Sequence, residues 1–508
     1  MDRIKNALMR IDAPLVVLIF FLLFSPPLIP EINTAIIAAG VVLLDLIIFR
    51  RKELRQTLVD SGIWKFVIIM AAFFAYTGVI TVINYFTGEF VQLMHYITLW
   101  YRYFLIVPLL VICCIYICIK CKKKGFGVYD LVMHYVGAGM LQFALVLIAV
   151  LIPAVKAAFV ALIYKNTGDT YLGIPWIMER RGFGFSNSFV DTFGFGMGIV
   201  AALPLFFLKK TKEKIALFVP CLVLISLVNV RTGLIMAAVG CVFALPSIFK
   251  AFMESKTKII ASALASVMLL LVFVGTVYIR SPKTIYWILE DFASVIGVTL
   301  PEESTTSPEE STTVSEESTA AAEETTGQEG TTEINTTEEP STQEATTEPV
   351  TEEISTQEQE STTQKEPGFW ENLSANSSDY NTADLLFSDR FWNLPTGLAL
   401  VFGTGHSIYG AEGYPHSDVG YVNDLWTSGI VGVLVLYAAF ALVFISAFRR
   451  TRDLNVRLMI LFFAAAMLIF QVKANAIMFN AGMATILPIL FFISFDAEQK
   501  KITGEKND

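Results

Sequence analysis

Histidine, aspartate and arginine are scarce in a chain that is 54% hydrophobic, so their placement carries information. The stretch GYPHSDVGYVND, residues 413–424, gathers His416, Asp418, Asn423 and Asp424 immediately before a long apolar run. An imidazole with an ordinary pKa near 6.5 is largely neutral at pH 7, so His416 is the best general base on offer. Asp418 could orient it or take the proton itself. His406, in GTGHS, is the rival base, whereas His95 stands in an aromatic helix entry that suits packing. His134 belongs to the opposite end of its apolar run. Asp424, directly before LWTSGIVG, is expected to cap the helix that follows. The flat faces of Tyr414, Tyr421, Phe391 and Trp392 suit either sugar rings or an interfacial aromatic belt.

Arginine supplies the second kind of chemistry. Arg180, Arg181, Arg231, Arg280 and Arg390 fall at the ends of apolar runs opposite to the lysine-rich clusters. A cation at bilayer depth costs about 2.5–3.5 kcal/mol on insertion scales, so it faces a cavity or a partner, or snorkels to headgroups. A guanidinium presents a planar fork that grips phosphate bidentately and stays charged. Arg181, Arg231 and Arg390, converging, could hold a lipid pyrophosphate and neutralise it as a leaving group. Arg180, His406, Asn187 and Arg280 are further candidates. No metal site and no cofactor is expected, and Cys118-x-x-Cys121 reads as small apolar residues at a span end.

These groups need a scaffold, and the composition predicts which. Mean hydropathy is +0.59 and only 16% of residues are charged. Apolar runs such as residues 259–279 are long enough for a helix to cross a bilayer and too unalternating for a barrel. The chain therefore reads as all-α, a polytopic helical membrane protein. About twelve spans are expected, at 13–30, 33–49, 62–83, 98–119, 129–152, 188–208, 214–229, 232–249, 258–279, 425–448, 457–472 and 481–495. With that register, 25 of 37 basic residues lie in short segments on one face. Such bias marks the cytoplasmic side and puts both termini there.

Four regions follow. Residues 1–298 hold nine spans and an external loop at 153–187, in which AVKAAFVALIYK is expected to lie along the membrane surface. Residues 299–367 form a Thr/Glu-rich external insertion, expected to be disordered because it has almost nothing with which to build a core. Residues 368–424 form a second external loop with candidate site residues, in which LPTGLALVFGTG is too short to span and suits a re-entrant piece. Residues 425–508 supply three spans and a cytoplasmic tail. The formal net charge of −9 comes from the insertion, whose residues 301–366 carry nineteen glutamates and one lysine.

Four stretches resemble the bacterial O-antigen polymerase and ligase family of membrane glycosyltransferases. ERRGFGFSNSFVDTFG (179–194) is similar to the family's arginine, glycine and asparagine stretch entering a span. VNVRTGLIMAAVG is similar to its arginine opening the next external-side helix, and SDRFWNLPTGLALVFGTGHS to its arginine, aromatic and G-x-G stretch. HSDVGYVNDLWTSGIVG (416–432) is similar to its histidine-polar segment closing on G-x-x-G before a span. Eleven residues separate Ser417 from Gly429, a wider spacing than the ligases commonly carry, which fits a polymerase.

The resemblance implies an inverting glycosyltransferase at the outer face of the cytoplasmic membrane. It would polymerise undecaprenyl-pyrophosphate-linked oligosaccharide repeat units into surface polysaccharide, with Arg181, Arg231 and Arg390 on pyrophosphate and His416 on the acceptor hydroxyl. Implied partners are that lipid-linked oligosaccharide, the lipid bilayer, and flippase and chain-length regulator proteins; no nucleic acid is expected. The alternatives are a ligase of the same family and a flippase of lipid-linked oligosaccharide, the latter expected to show interrupted helices.

Overall fold

The computed structural model describes residues 11–29, 32–60, 63–87, 93–167, 181–187, 191–229, 231–295, 392–408, 414, 417, 419–475 and 481–502. The insertion at 299–367 and the candidates Arg180, Arg390, His416 and Asp418 lie outside the described residues.

Every long described element is a helix, and no strand occurs among the described residues. The helices are α1 (Ala13–Phe24), α2 (Thr34–Phe49), α3 (Arg51–Asp60), α4 (Ile63–Thr87), α5 (Leu93–Trp100), α6 (Val107–Lys124), α7 (Val128–Leu151) and α8 (Pro153–Thr167). There follow α9 (Asp191–Phe206), α10 (Ile215–Asn229), α11 (Arg231–Glu254), α12 (Lys256–Arg280), α13 (Pro282–Val295), α14 (Gly397–Phe402), α15 (Gly420–Arg450), α16 (Leu454–Lys473) and α17 (Ala481–Ile502). A π-helical turn over Tyr101–Ile106 joins α5 to α6 just before Pro108, whose missing N–H disrupts the regular ladder.

Each expected span falls on a helix, and seven helical segments are long and apolar enough to cross a membrane. Expected ends shift where local chemistry stops the helix. The first span, expected to reach residue 30, ends at Phe24, because Ser25 turns left-handed and two prolines follow. The protein is a helical membrane protein by its surface as well. Along α12, Leu264, Met268 and Leu271 are each about 60% exposed, apolar surface on a scale that water does not tolerate in a folded monomer.

The basic ends collect together. Lys124 at the end of α6 pairs with Asp12 ahead of α1 at 3.7 Å, and Lys123 pairs with Glu53 of α3 at 2.6 Å. Asp12 also caps α1, and its own N–H donates to His134 Nε2 at 3.0 Å. His134 is thus a packing group at this end, as its place in the sequence indicates. Lys209, just past α9, meets Glu254 of α11 at 2.6 Å.

At the centre stands α9, in contact with α7, α10, α11, α16 and α17. Glycine permits this. A Cβ on Gly198 would lie 2.2 Å from the carbonyl oxygen of Gly233, so α9 and α11 touch backbone to backbone. Membrane helices lack a hydrophobic drive toward one another, and such close approach supplies van der Waals contact instead.

Candidate functional site at the end opposite the basic clusters

Two structures occupy this end of the bundle. The first is the extended segment 181–187, RGFGFSN. Its Gly182 N–H donates to Val228 O of α10 at 3.0 Å, while Ser186 Oγ donates to Phe24 O at 2.7 Å. The Asn187 N–H is shared between the Phe24 and Ser25 carbonyls at 3.3 Å each. The segment is thus strung between α10 and the end of α1. Helix α8 lies over it: Lys156 sits over the Phe183 ring at 5.7 Å, and Phe159 meets Phe185 at 5.0 Å. The stretch expected to lie along the membrane surface is therefore a helix that covers this segment.

One hydrogen bond has a direct bearing on the arginines. By tying Gly182 to Val228, it sets the backbone of Arg181 beside the chain that opens α11 at Arg231. Arg181 itself is half-buried. Arg280 stands elsewhere, exposed at the end of the perimeter helix α12, where α13 begins.

The second structure is the GTGHS loop, and a broken helix explains it. Inside α15, Gly429 adopts φ 62° and ψ −178°, so the helix stops at Ser428 and restarts. The break strips the preceding carbonyls of their helical donors, and the loop supplies new ones. Thr404 N–H donates to Trp426 O at 2.7 Å and Gly405 N–H to Thr427 O at 2.9 Å. Tyr76 OH serves both Phe402 O at 2.9 Å and Ser428 O at 3.2 Å. From α4, Thr81 Oγ1 donates to Gly405 O at 2.6 Å, and Asn84 Nδ2 to Thr404 O at 2.8 Å. The G-x-G pattern now has a cause. Gly403 and Gly405 both have positive φ, and a Cβ on either would press into backbone, of Gly429 and of Thr81. The short α14 beside this loop packs on α15.

His406 projects inward from this loop. It is almost fully buried, with Nδ1 3.1 Å from Ser407 O, and it makes edge contacts with Tyr96 at 5.4 Å and Tyr414 at 4.8 Å. Burial lowers its pKa, so the ring is neutral near pH 7. Beyond Tyr96 lies an apolar cavity of about 500 Å³, whose walls include Thr81, Tyr85, Phe86, Trp100 and Tyr101. Of the other aromatics, Tyr421 turns its hydroxyl onto Leu468 O at 3.0 Å, and Trp426 donates to Asn393 O at 2.8 Å. Trp392 remains exposed.

Asp424 departs from expectation. Helix α15 begins at Gly420, after Val419, so Asp424 lies inside the helix and is not its cap. Its carboxyl is buried and accepts from Gln471 Nε2 at 2.6 Å, from Asn475 Nδ2 at 2.7 Å and from Tyr437 OH at 3.4 Å. It ties the first half of α15 to the end of α16.

Helix α9 reaches from the end of α1 to the end of α16. Phe193 packs on Phe24 at 5.8 Å beside the 181–187 segment, and Phe195 stacks on Phe470 at 4.1 Å, next to the Asp424 partner Gln471. Among the described residues no three His, Cys, Asp or Glu side chains converge as a metal set. The cysteines of α6, including Cys118 and Cys121, are buried thiols.

The sequence reading missed several polar residues within apolar runs: Tyr76, Asn84, Gln142, Asn229 and Gln471. A carboxamide in a membrane helix is itself a signal, because it must find a partner or leave a polar group dry. Compared with family models, curated proteins and solved structures, the chain finds no match.

Proposed function

We propose that this protein is a membrane glycosyltransferase that extends a glycan carried on a polyprenyl pyrophosphate, at the face opposite the basic clusters. The observation that carries the reading is the Gly182–Val228 hydrogen bond, which sets Arg181 beside the chain leading into Arg231. Two guanidiniums from distant stretches suit a diphosphate, whose departure requires charge stabilisation more than an acid. His416 and Asp418 take the acceptor proton in this reading, and Arg390 completes the diphosphate clasp. The apolar, aromatic-walled cavity beside Tyr96 suits an isoprenoid chain.

Single replacements Arg181→Gln, Arg231→Gln, Arg390→Gln and His416→Gln, read as glycan length on cells, test this. A polymerase predicts glycan that stops at single repeat units. Full-length polymer left on its lipid indicates the ligase. Unchanged length distributions in all four variants would end the assignment.

The flippase reading takes support from one observation, the break of α15 at Gly429, since interrupted helices line transport sites. It predicts that the same variants accumulate lipid-linked oligosaccharide on the inner leaflet. A polymerase or ligase leaves it on the outer one.

A further inference from the structure

Two carboxamides belong to the helices that flank the 181–187 segment, Gln142 against Gly184 and Asn229 next along the chain from Val228, and neither takes part in the chemistry proposed so far. Gln142 of α7 and Asn229 at the end of α10 are fully buried. Among the described residues, neither the amide nitrogen nor the amide oxygen of either side chain has a hydrogen-bond partner. The Asn187 Oδ1 is in the same condition. Buried polar groups ordinarily have hydrogen-bond partners, and the segment as placed supplies none to these amides, which motivates asking what they would bind.

The segment itself covers the first and is tied to the chain beside the second. Gly184 passes so close to Gln142 that a Cβ there would lie 2.0 Å from Nε2, and Gly182 is held by Val228, the residue before Asn229. The chain is anchored there by the Gly182 and Ser186 hydrogen bonds and by the buried Phe183 ring, while Gly182 and Gly184 themselves place no side chain against α7 or α10. A carboxamide offers one acceptor and two donor hydrogens. Phosphate only accepts, and a lipid chain does neither. The ligand that matches both halves of two carboxamides is a hydroxyl-rich group.

We propose that residues 182–187 form a displaceable plug over a sugar-binding recess, in which Gln142 and Asn229 receive hydroxyls of the glycan when the plug withdraws. The inference rests on the glycosyltransferase reading and adds a sugar subsite distinct from the diphosphate clasp. No group in the recess reacts. Its part is to position the sugar relative to the arginines at its mouth.

Binding of two lipids to the full-length protein in nanodiscs tests it. One is undecaprenyl diphosphate alone, and the other is the lipid-linked oligosaccharide extracted from cells that make the glycan. Wild type should prefer the glycosylated lipid. Gln142→Leu and Asn229→Leu together should abolish that preference, a loss of about tenfold or more in affinity, with undecaprenyl diphosphate binding unchanged. The same double variant should unfold at a higher temperature, because it removes buried polar atoms that have no partner; a merely structural role for the amides predicts the reverse. A lock supplies the independent measurement. A Cβ on Gly182 would lie 3.2 Å from that of Val228, so Gly182→Cys with Val228→Cys should form a disulfide. Replacing the exposed Cys241 by serine removes the competing thiol. Oxidised, the lock should lose the preference for glycosylated lipid, and reduction should restore it. A preference that survives in the double variant or in the oxidised lock overturns the plug. So does an equal loss of both lipids in the double variant. Failure of wild type to bind either lipid would sink the glycosyltransferase reading, and the plug with it.

Discussion

At the scale of single residues, burial decides what each polar group can do. Asp424 holds three donors at once, from α15 and from the end of α16. Asp424→Ala removes the buried acceptor shared by Gln471, Asn475 and Tyr437, and the loss of such a buried hydrogen-bond partner costs about 1–3 kcal/mol. Its thermal unfolding midpoint should fall well below that of wild type, and Asp424→Asn should fall between them. Calorimetry or tryptophan fluorescence in detergent reads both. His406 makes a pH prediction. Its folded pKa is lowered by burial, so the unfolded chain binds the proton more readily in the window from that lowered value up to about 6.5. Stability therefore rises with pH across that window and is lost as pH falls below about 6.5. Unfolding followed from pH 7 to pH 5 should show a steeper loss for wild type than for His406→Gln. Parallel curves would remove His406 from the account.

At the scale of elements, the break in α15 decides how the GTGHS loop is held. Gly429 has a positive φ, and a Cβ there would lie 2.4 Å from Val401 O and 2.5 Å from Gly403 N. Gly429→Ala thus combines strained backbone, about 1–3 kcal/mol, with a steric conflict against α14 and its loop. The expected result is a lower unfolding midpoint and a GTGHS loop newly open to protease, while the other end of the bundle keeps its protection. The sequence made part of this legible. Long apolar runs announced the helices, and glycine-rich LPTGLALVFGTG announced a piece too short to cross. It did not reveal that Gly429 interrupts α15, because a single glycine in an apolar run reads as ordinary helix interior. Nor did it reveal that Asp424 lies inside the helix, since Val419–Gly420 carries no capping side chain to mark the start. Of the proposed diphosphate clasp, the sequence shows only residue types. Gly182 and Gly184 place the 181–187 segment through contacts whose partners, Val228 and Gln142, are distant in sequence.

At the scale of the whole molecule, helix length and charge placement make different demands on the crossing number. A regular helix rises about 1.5 Å per residue, so the twelve residues of α1 reach only ~18 Å against a hydrocarbon core of about 30 Å. Seven helical segments pass by length and composition, and α1, α2, α9 and α17 are shorter apolar helices that need flanking chain to complete a crossing. The charges set a condition on them. Lys124 with Asp12, Lys123 with Glu53, and Lys209 with Glu254 pair the ends of α1, α3, α6, α9 and α11 at one end of the bundle. Ends that meet in pairs must lie on the same side of the bilayer. The register of twelve crossings, with α1 and α9 carrying the chain across, meets this condition and puts the cation-rich turns on one face. Single cysteines in a Cys241→Ser background measure this. Lys212→Cys and Arg452→Cys should react with a membrane-impermeant maleimide only after cells are permeabilised. Lys283→Cys and Thr396→Cys should react in intact cells. A Lys212 site labelled from outside would place an odd number of crossings between turns that the register puts together. The arginine-bearing ends of the bundle would then no longer share the outer face that a glycan-extending site requires.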